Sequence, residues 1–475
     1  MALPSPEGII MTPADIAAAC GLTVYACEGA GIGGMLKSRF EDFRVEEVGR
    51  VPALEGKGRF TVVRATLTNW ETNRFVGKLA RNLGISKNRI WFSGTKDKRA
   101  ITTQLLVIDA PQNKVAAISM PDVEIEILGR SHQKLGFGDH NSNRFTITVR
   151  GCANDDGIPL EAKDAIARVN SIFENMQQRL GEGKFPNWIG PQRFGATRPV
   201  TPVVGRAVIS DDWKGAVDAY LGMAGIYQQP EVESFRRMWR ETGDPVKCIE
   251  VIPKHLGFER DILRHLVKKP DDWVGAFRKL PNNLQLMMVH SLQSEAYNRI
   301  IAARLETGLT LSEPIEGDVV GLIQDNGKID MAKLVEVEAD ILPRISRNCK
   351  NGRLAVTASL PGGESHYSDS VPGDIEKQVL AEMNLLGEDW QVKGIPRLTS
   401  KGSKRALTVS FSEFSVEEAG EIETDQLGYR FAEGPREGEM WHPEGCSLRL
   451  RFSLPSGTYA TILMREFMRA PLTQY

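Results

Sequence analysis

The chain has 475 residues, enough for two or three domains with sizeable cores. Charged residues make up 25% and apolar residues 41%, the balance of an ordinary soluble protein, and no run of eighteen apolar residues is present, which excludes a helical membrane span. The net charge of −2 hides an asymmetry: residues 1–150 carry 20 Lys+Arg against 15 Asp+Glu, so the remainder is acidic. The first residues, MALPSPEGIIMTPADIAAACGL, lack a basic start followed by a long apolar stretch, so no secretory signal is expected.

In chain order, a strand-like run covers Leu22–Cys27 and meets the glycine-rich turn Gly29-Ala-Gly-Ile-Gly-Gly34. An extended, half-buried pattern follows in Phe43-Arg-Val-Glu-Glu-Val. Further strand signals lie at Phe60–Leu67, Ile90–Ser93, Thr103–Asp109 and Asn143–Arg150. Between them, Phe75, Val76, Leu79, Ala80 and Leu83 share one face of a helix from Thr72 to Leu83, and Gly84 supplies its stop. A second helix spans about Glu161–Leu180, with Ile166, Val169, Ile172, Phe173, Met176 and Leu180 inward and Gly181 behind it. Residues 211–305 read as mostly helical, and residues 315–420 mix short strands with Gly- and Pro-marked turns. The chain closes on a strand at Ser447–Ser453, a turn at Leu454-Pro-Ser-Gly and a helix from Thr458. These signals indicate an α+β body carrying a large insertion.

The six cysteines and seven histidines are dispersed, with no Cys-x-x-Cys pair. Neither a metal site nor a disulfide framework is expected, and a reducing cytoplasm fits best.

Five stretches could carry chemistry. Gly29–Gly34 matches G-x-G-x-x-G, but a dinucleotide site needs an amphipathic helix at once afterwards, and the sequence continues in an extended pattern. A backbone turn is the better reading. Ser93-Gly-Thr-Lys-Asp-Lys-Arg-Ala100 sets one carboxylate, Asp97, among Lys96, Lys98 and Arg99. Neighbouring cations favour an ionised carboxylate, which suits a nucleophile or base near phosphates. On local sequence alone, an Asp-containing turn with solvated lysines is the better reading. Asn143-Arg-Phe145 opens a half-buried strand, where Phe145 is either core or a stacking face. Pro186–Gly195 packs two glycines, two prolines, two aromatics and Arg193 into a shaped loop, which is either a connector or a holder of Arg193 toward an RNA phosphate. Tyr459 stands at a strand-to-helix junction, where a core aromatic is the plainer reading.

Together these stretches resemble the TruD family of tRNA pseudouridine synthases. The resemblance rests on Gly-Ile-Gly-Gly-Met-Leu-Lys37 with Glu41-Asp-Phe43, on Gly94-Thr-Lys-Asp-Lys98, on Asn143-Arg-Phe145, on Gly190-Pro-Gln-Arg-Phe-Gly195 and on Leu454-Pro-Ser-Gly-Thr-Tyr-Ala-Thr461. Their order brackets nearly the whole chain, and the long insertion is of the archaeal type. The resemblance implies a pseudouridine synthase fold: a central, mainly antiparallel mixed sheet flanked by helices, with a large α+β insertion domain. It divides the chain into a first catalytic part at 1–195, an insertion at 196–420 and a final strand and helix at 421–475.

The resemblance also implies site residues. Asp97 takes the place of the catalytic aspartate. Phe43, Asn143, Phe145 and Tyr459 become substrate-binding residues, and Lys37 becomes a basic partner for Asp97. Lys96, Lys98, Arg99 and Arg193 are candidate phosphate contacts, as are the basic segment Lys254–Lys269 and the cluster Arg236, Arg237 and Arg240. The expected substrate is transfer RNA, typically at uridine 13, with no cofactor, metal, membrane or obligate protein partner. Two other readings stay open: a catalytically silent RNA-binding protein on the same fold, and a nicotinamide-dependent oxidoreductase built on Gly29–Gly34.

Overall fold

The period-two runs of the first half become neighbours in one sheet. The computed structural model describes residues 12–96, 98–136, 140–324 and 327–475. Its strands, in chain order, are β1 (Gly33–Met35), β2 (Phe43–Gly49), β3 (Phe60–Thr68), β4 (Ile90–Phe92), β5 (Ile101–Ile108), β6 (Val123–Ser131), β7 (His140–Cys152), β8 (Lys184–Pro186), β9 (Val319–Ile323), β10 (Ile329–Glu336), β11 (Leu354–Leu360), β12 (Ser403–Ala406), β13 (Thr408–Ser410), β14 (Ser412–Glu418) and β15 (Leu448–Pro455). The main sheet runs β14-β15-β7-β2-β5-β3-β6, with β1 added to β7 and β4 to β5. Among the described residues only β2 and β5 pair in parallel, so the sheet is mixed and mainly antiparallel. The fold class is α+β, as the sequence indicates.

The parallel pair matters for the site. A parallel partner cannot be reached by a hairpin, so the chain crosses over between β2 and β5. The crossover consists of β3, the helix Thr72–Leu83 and β4. It brings the start of β5 beside the start of β2, with Arg44 opposite Ile101 and Val45 opposite Thr102. The loop feeding β5 therefore arrives next to Phe43 and Val45.

The crossover helix forms where its periodicity places it. Glu71 caps it by accepting from the backbone of Asn73 and Arg74, and Gly84 ends it in a left-handed conformation at φ 67°. Phe75, Val76, Leu79 and Ala80 pack on Val63, Ala65 and Leu67 of β3. Each fully buried large apolar side chain there contributes about 1.5–3 kcal/mol. The second expected helix spans Ala162–Leu180 and lies against the other end of the sheet, where Phe173 stacks on Phe414 with ring centroids 4.7 Å apart.

The insertion has two layers of its own. Helices from Val200 to Glu306 gather around a 25-residue helix, Asn282–Glu306, which is buried along most of its length. A four-stranded sheet, β10-β9-β11-β12, follows, with the helices Leu342–Lys350 and Val371–Glu382. The short pair β8–β13 ties the exit of the insertion to its return. Among the described residues no helix is long and apolar enough to cross a membrane.

Three expectations need correction. Leu22–Cys27 is not a strand: its backbone is irregular, held by contacts such as Glu466 accepting from the Ala26 amide at 2.8 Å. β14 pairs with β15 in the main sheet, so the chain has returned from the insertion by Ser412 rather than at residue 421. Arg236 is buried, 3% exposed, and its guanidinium donates to the carbonyls of Tyr220 and Leu221 and pairs with Glu259 at 3.3 Å. It is a structural cation and cannot reach RNA. Arg240 likewise serves Gly222 and Glu233, whereas Arg237 is exposed.

Candidate active site

Strand alternation puts Phe43 and Val45 of β2 on one face of the sheet. Val45 lies opposite Phe145 of β7, which in turn lies opposite Phe452 of β15. Phe145 stacks on Phe452 with centroids 5.5 Å apart and meets Phe43 edge-on at 6.2 Å. Asn143, two residues before Phe145 on the same face, pairs across with Leu454, where β15 ends. The chain then turns through Ser456 and Gly457, the latter at φ 81°, into the helix Ala460–Met468. Tyr459 is the N-cap residue of that helix.

These elements enclose a cleft of about 420 Å³. Phe43, Val45, Asn143, Phe145 and Tyr459 line it, together with Ser93–Lys96 of the loop before β5 and with Gln192 and Thr461. Residues far apart in the chain, taken from both of its ends, thus converge on one cavity. Phe145 is both core and wall: it is 7% exposed, and the exposed part faces the cleft. Asn143 Oδ1 is buried without a hydrogen-bond partner among the described residues. A buried polar atom left unmet costs about 1–3 kcal/mol, so such an atom in a cleft is a ready seat for a ligand donor.

Tyr459 is held from behind. Its helix is buried throughout, and Glu466 on it accepts from the Trp188 indole at 3.0 Å and from the Ala26 amide. Gly190 backs the ring, because a Cβ there would lie 3.4 Å from Tyr459 Cδ1. The loop Pro186–Gly195 is therefore shaped to let the backbone approach an aromatic face.

The loop before β5 is pinned at four points. The Ser93 hydroxyl donates to Glu47 Oε1 at 3.0 Å. The Lys96 amide donates to Thr72 Oγ1 at 2.9 Å, at the first residue of the crossover helix. The Lys96 ammonium lies 3.0 Å from Glu47 Oε2, in contact by charge though not aligned as a hydrogen bond. The Asn69 amide donates to the Ala100 carbonyl at 3.0 Å. The Lys96 and Glu47 side chains are 5% and 1% exposed.

This revises the reading of Lys96. It is not a phosphate contact but half of a buried ion pair that fixes the loop. Lys98 and Arg99 are exposed and keep their candidacy. Arg193 is half-buried and lines an adjoining cavity rather than this cleft. Lys37 sits with Nζ 4.4 Å above the Phe43 ring, and its own backbone is left-handed at φ 55°. Asp97 lies outside the described residues.

Glu47, Thr72, Gln192 and Thr461 did not stand out in the sequence. Glu47 left one legible sign: the period of two places it on the same face as Phe43 and Val45, an acid at an inward position. The glycine turn carries no helix. Gly33 and Gly34 belong to or flank the strand β1, and the next element is a three-residue 3₁₀ turn at Phe40–Asp42, so the dinucleotide reading lacks the element it requires.

An aromatic cleft therefore opens where β2, β7 and the end of β15 meet, in a mixed sheet split by an insertion. Comparison with known proteins gives its class, the pseudouridine synthases. Residues 19–467 match the family described as tRNA pseudouridine synthase D (TruD). A protein of Methanosarcina acetivorans named "Probable tRNA pseudouridine synthase D" is 35% identical over 451 residues, covering 94% of this chain and 96% of its own. One of the same name from Methanococcoides burtonii is 36% identical with the same coverage. A crystal structure from Methanosarcina mazei, described as a tRNA pseudouridine synthase D (TruD), superposes with a TM-score of 0.81 at 32% identity, covering 97% of this chain and 99% of that one. The chain belongs to the TruD family of tRNA pseudouridine synthases, which are isomerases.

Proposed function

We propose that this chain converts a flipped-out uridine of transfer RNA, at position 13, to pseudouridine, with Asp97 as the reacting carboxylate. The observation that carries the reading is the convergence of Phe43, Asn143, Phe145 and Tyr459 on one cleft whose rim is the pinned segment Ser93–Lys96, directly preceding Asp97 in the chain.

The reaction breaks the N1–C1′ glycosidic bond, turns the uracil and joins C5 to C1′. C5 gives up its proton to solvent and N1 takes one up. The product is an isomer, so the balance closes without a co-reactant. A base stacked in RNA is inaccessible, and flipping it out costs a few kcal/mol. Stacking on an aromatic face offsets about 1–3 kcal/mol of that. Tyr459 offers such a face, backed by Gly190. The Asn143 amide meets the polar edge of uracil, whose N3–H can donate to the unmatched Oδ1. Phe43 and Phe145 exclude water from the wall behind the ribose. Lys98 and Arg99, exposed beside Asp97 in the chain, attract the backbone phosphates. All six cysteines are free thiols, which suits the cytoplasm, where transfer RNA is found.

Tritium release from transfer RNA labelled at uridine C5 tests the reading. The wild type should release label and Asp97→Asn should release none while still binding RNA. Equal release by both would remove Asp97 from the mechanism. No release by the wild type on any transfer RNA would leave a silent RNA-binding protein.

A further inference from the structure

A second cavity, of about 380 Å³, adjoins the aromatic cleft and shares Tyr459 and Gly457 with it. Its walls come from three rigid elements. Arg193 projects from the 3₁₀ turn Pro191–Arg193, which is held by Thr201 Oγ1 donating to the Arg193 carbonyl at 3.0 Å. His290 comes from the long helix Asn282–Glu306, and Arg405 from β12. Among the described residues no carboxylate lines the cavity.

The charges gathered there are uncompensated. Arg193 and Arg405 are half-buried, and neither has a carboxylate within ion-pair distance among the described residues, whereas the buried guanidinium groups of Arg150 and Arg304 pair with Asp42 and Asp318. The Arg405 guanidinium is steadied only by neutral groups, the Asn187 oxygens and the Tyr297 ring, 5.8 Å away. The Arg193 and His290 side chains have no hydrogen-bond partner among the described residues. Burial, and then the charge of Arg193, push the His290 pKa below its ordinary value, so the cavity wall disfavours a further proton. Like charges held together on rigid elements, with no acid, destabilise one another unless an anion joins them. Guanidinium groups match the paired oxygens of a phosphate.

We propose that this cavity seats a phosphodiester of the RNA beside the flipped nucleotide, with Arg193, His290 and Arg405 as its donors and the Tyr459 ring as the partition between base and phosphate. The proposal rests on the reading of the aromatic cleft as the uridine pocket. It turns the loop Gly190–Gly195 into a device with two functions, since Gly190 backs the ring and Arg193, three residues on, reaches the other chamber.

The test is binding of fluorescently labelled transfer RNA to the full chain over a series of KCl concentrations, read as affinity and as the slope of log affinity against log salt. Arg193→Gln should weaken binding roughly tenfold or more, as loss of a charge-assisted hydrogen bond does. It should also flatten the slope by about 0.7–0.9, the release of one counterion. Arg193→Lys should restore the slope but not the whole affinity. His290→Gln should weaken binding less at pH 8 than at pH 6, where the phosphate helps to protonate the wild-type ring. Lys114→Gln, at an exposed residue outside both cavities, sets the background for losing a surface charge. Wild-type affinity and slope in Arg193→Gln would overturn the proposal, and so would a weakened affinity with an unchanged slope. Binding is measured without turnover, so the two readings fail separately. A flattened slope with no tritium release by the wild type keeps the phosphate seat and sinks the isomerase reading. Release with an unchanged slope does the reverse.

Discussion

Glu47→Gln is the most informative single change outside the reacting residue. The carboxylate is 1% exposed and lies 3.0 Å from a Lys96 ammonium that is 5% exposed. Its other oxygen accepts from Ser93. The substitution is isosteric, so packing is kept and only the charge is lost. Removing one member of a buried pair costs about 3–5 kcal/mol, because the other charge is left without compensation. Lys96 has one escape: its residue lines the cleft, so the ammonium can swing toward solvent and draw the loop off its anchor on Thr72. If only a third of the cost appears as loop displacement, about 1.4 kcal/mol, the rate of isomerisation falls about tenfold. Urea unfolding and single-turnover tritium release, measured on the same preparation, divide the cost between fold and loop. Glu47→Gln with Lys96→Met separates them further. Replacing both members of a buried pair by uncharged groups is often near neutral in stability, so the double variant should regain most of the lost stability and little of the lost rate. If Glu47→Gln stays within about 1 kcal/mol of wild type and within twofold of its rate, the pair does not position the loop and the reasoning fails.

Tyr459→Phe keeps the stacking face and should retain most of the rate, whereas Tyr459→Ala should lose about 1–3 kcal/mol of base stacking, seen as a tenfold or greater fall in turnover at limiting RNA. Gly190→Ala introduces a Cβ 2.8 Å from Gln192 Oε1 and 3.4 Å from the Tyr459 ring. Gln192 can move aside, so the melting temperature should hold within a few degrees while the half-saturating RNA concentration rises. An unchanged RNA response would mean that the ring is not the stacking face. His290 has a folded-state pKa lowered from 6.5, by burial first and by Arg193 second. A depressed pKa means that the unfolded chain binds the proton more readily, so the contribution to stability is complete above pH 6.5 and is lost as pH falls through the lower folded value. RNA-free protein should therefore lose more thermal stability between pH 7.5 and 5.5 than His290→Gln does, and equal losses would show that this histidine does not carry the effect.

What could be read from the sequence depended on whether the signal was local. The helix at Thr72–Leu83 is legible to the residue, since its apolar face and its stop at Gly84 both lie within thirteen residues. Phe43, Asn143, Phe145 and Tyr459 could be singled out by their motifs, but isolated residues of these types are more often core, and Phe145 proved to be core and wall together. Only the pairing of β2, β7 and β15 turns them into one cavity. The errors share a cause as well. Lys96 and Arg236 were read as basic residues available to phosphate, and each is neutralised by an acid distant in sequence, Glu47 at 49 positions and Glu259 at 23. Charge can be counted locally, but its compensation is decided by the tertiary fold. Leu22–Cys27 has a strand's composition but pairs with no strand among the described residues. The His290 and Arg405 contributions carry no motif at all, since each depends on the insertion folding back against the catalytic sheet.

That folding back has a consequence for how the site is made. The cleft needs β7, completed by residue 152, and β15, which begins at residue 448, in register across nearly 300 intervening residues. A shift of one residue in that pairing would turn Phe452 to the opposite face and remove the ring on which Phe145 stacks. The insertion reduces the entropic cost of closing so long a loop. The strand β8 that leads into it and the strand β13 that leads out of it pair with each other, so the catalytic sheet meets a short, tied connection in place of a free chain. The same arrangement sets the second cavity, because Arg405 lies three residues before β13 begins. The strand pair that delivers β15 to the sheet therefore also delivers the proposed phosphate seat to the side of Tyr459. The proposed pocket for the base and the proposed seat for its backbone thus depend on the same connection, and a destabilised insertion should cost RNA affinity and isomerisation together.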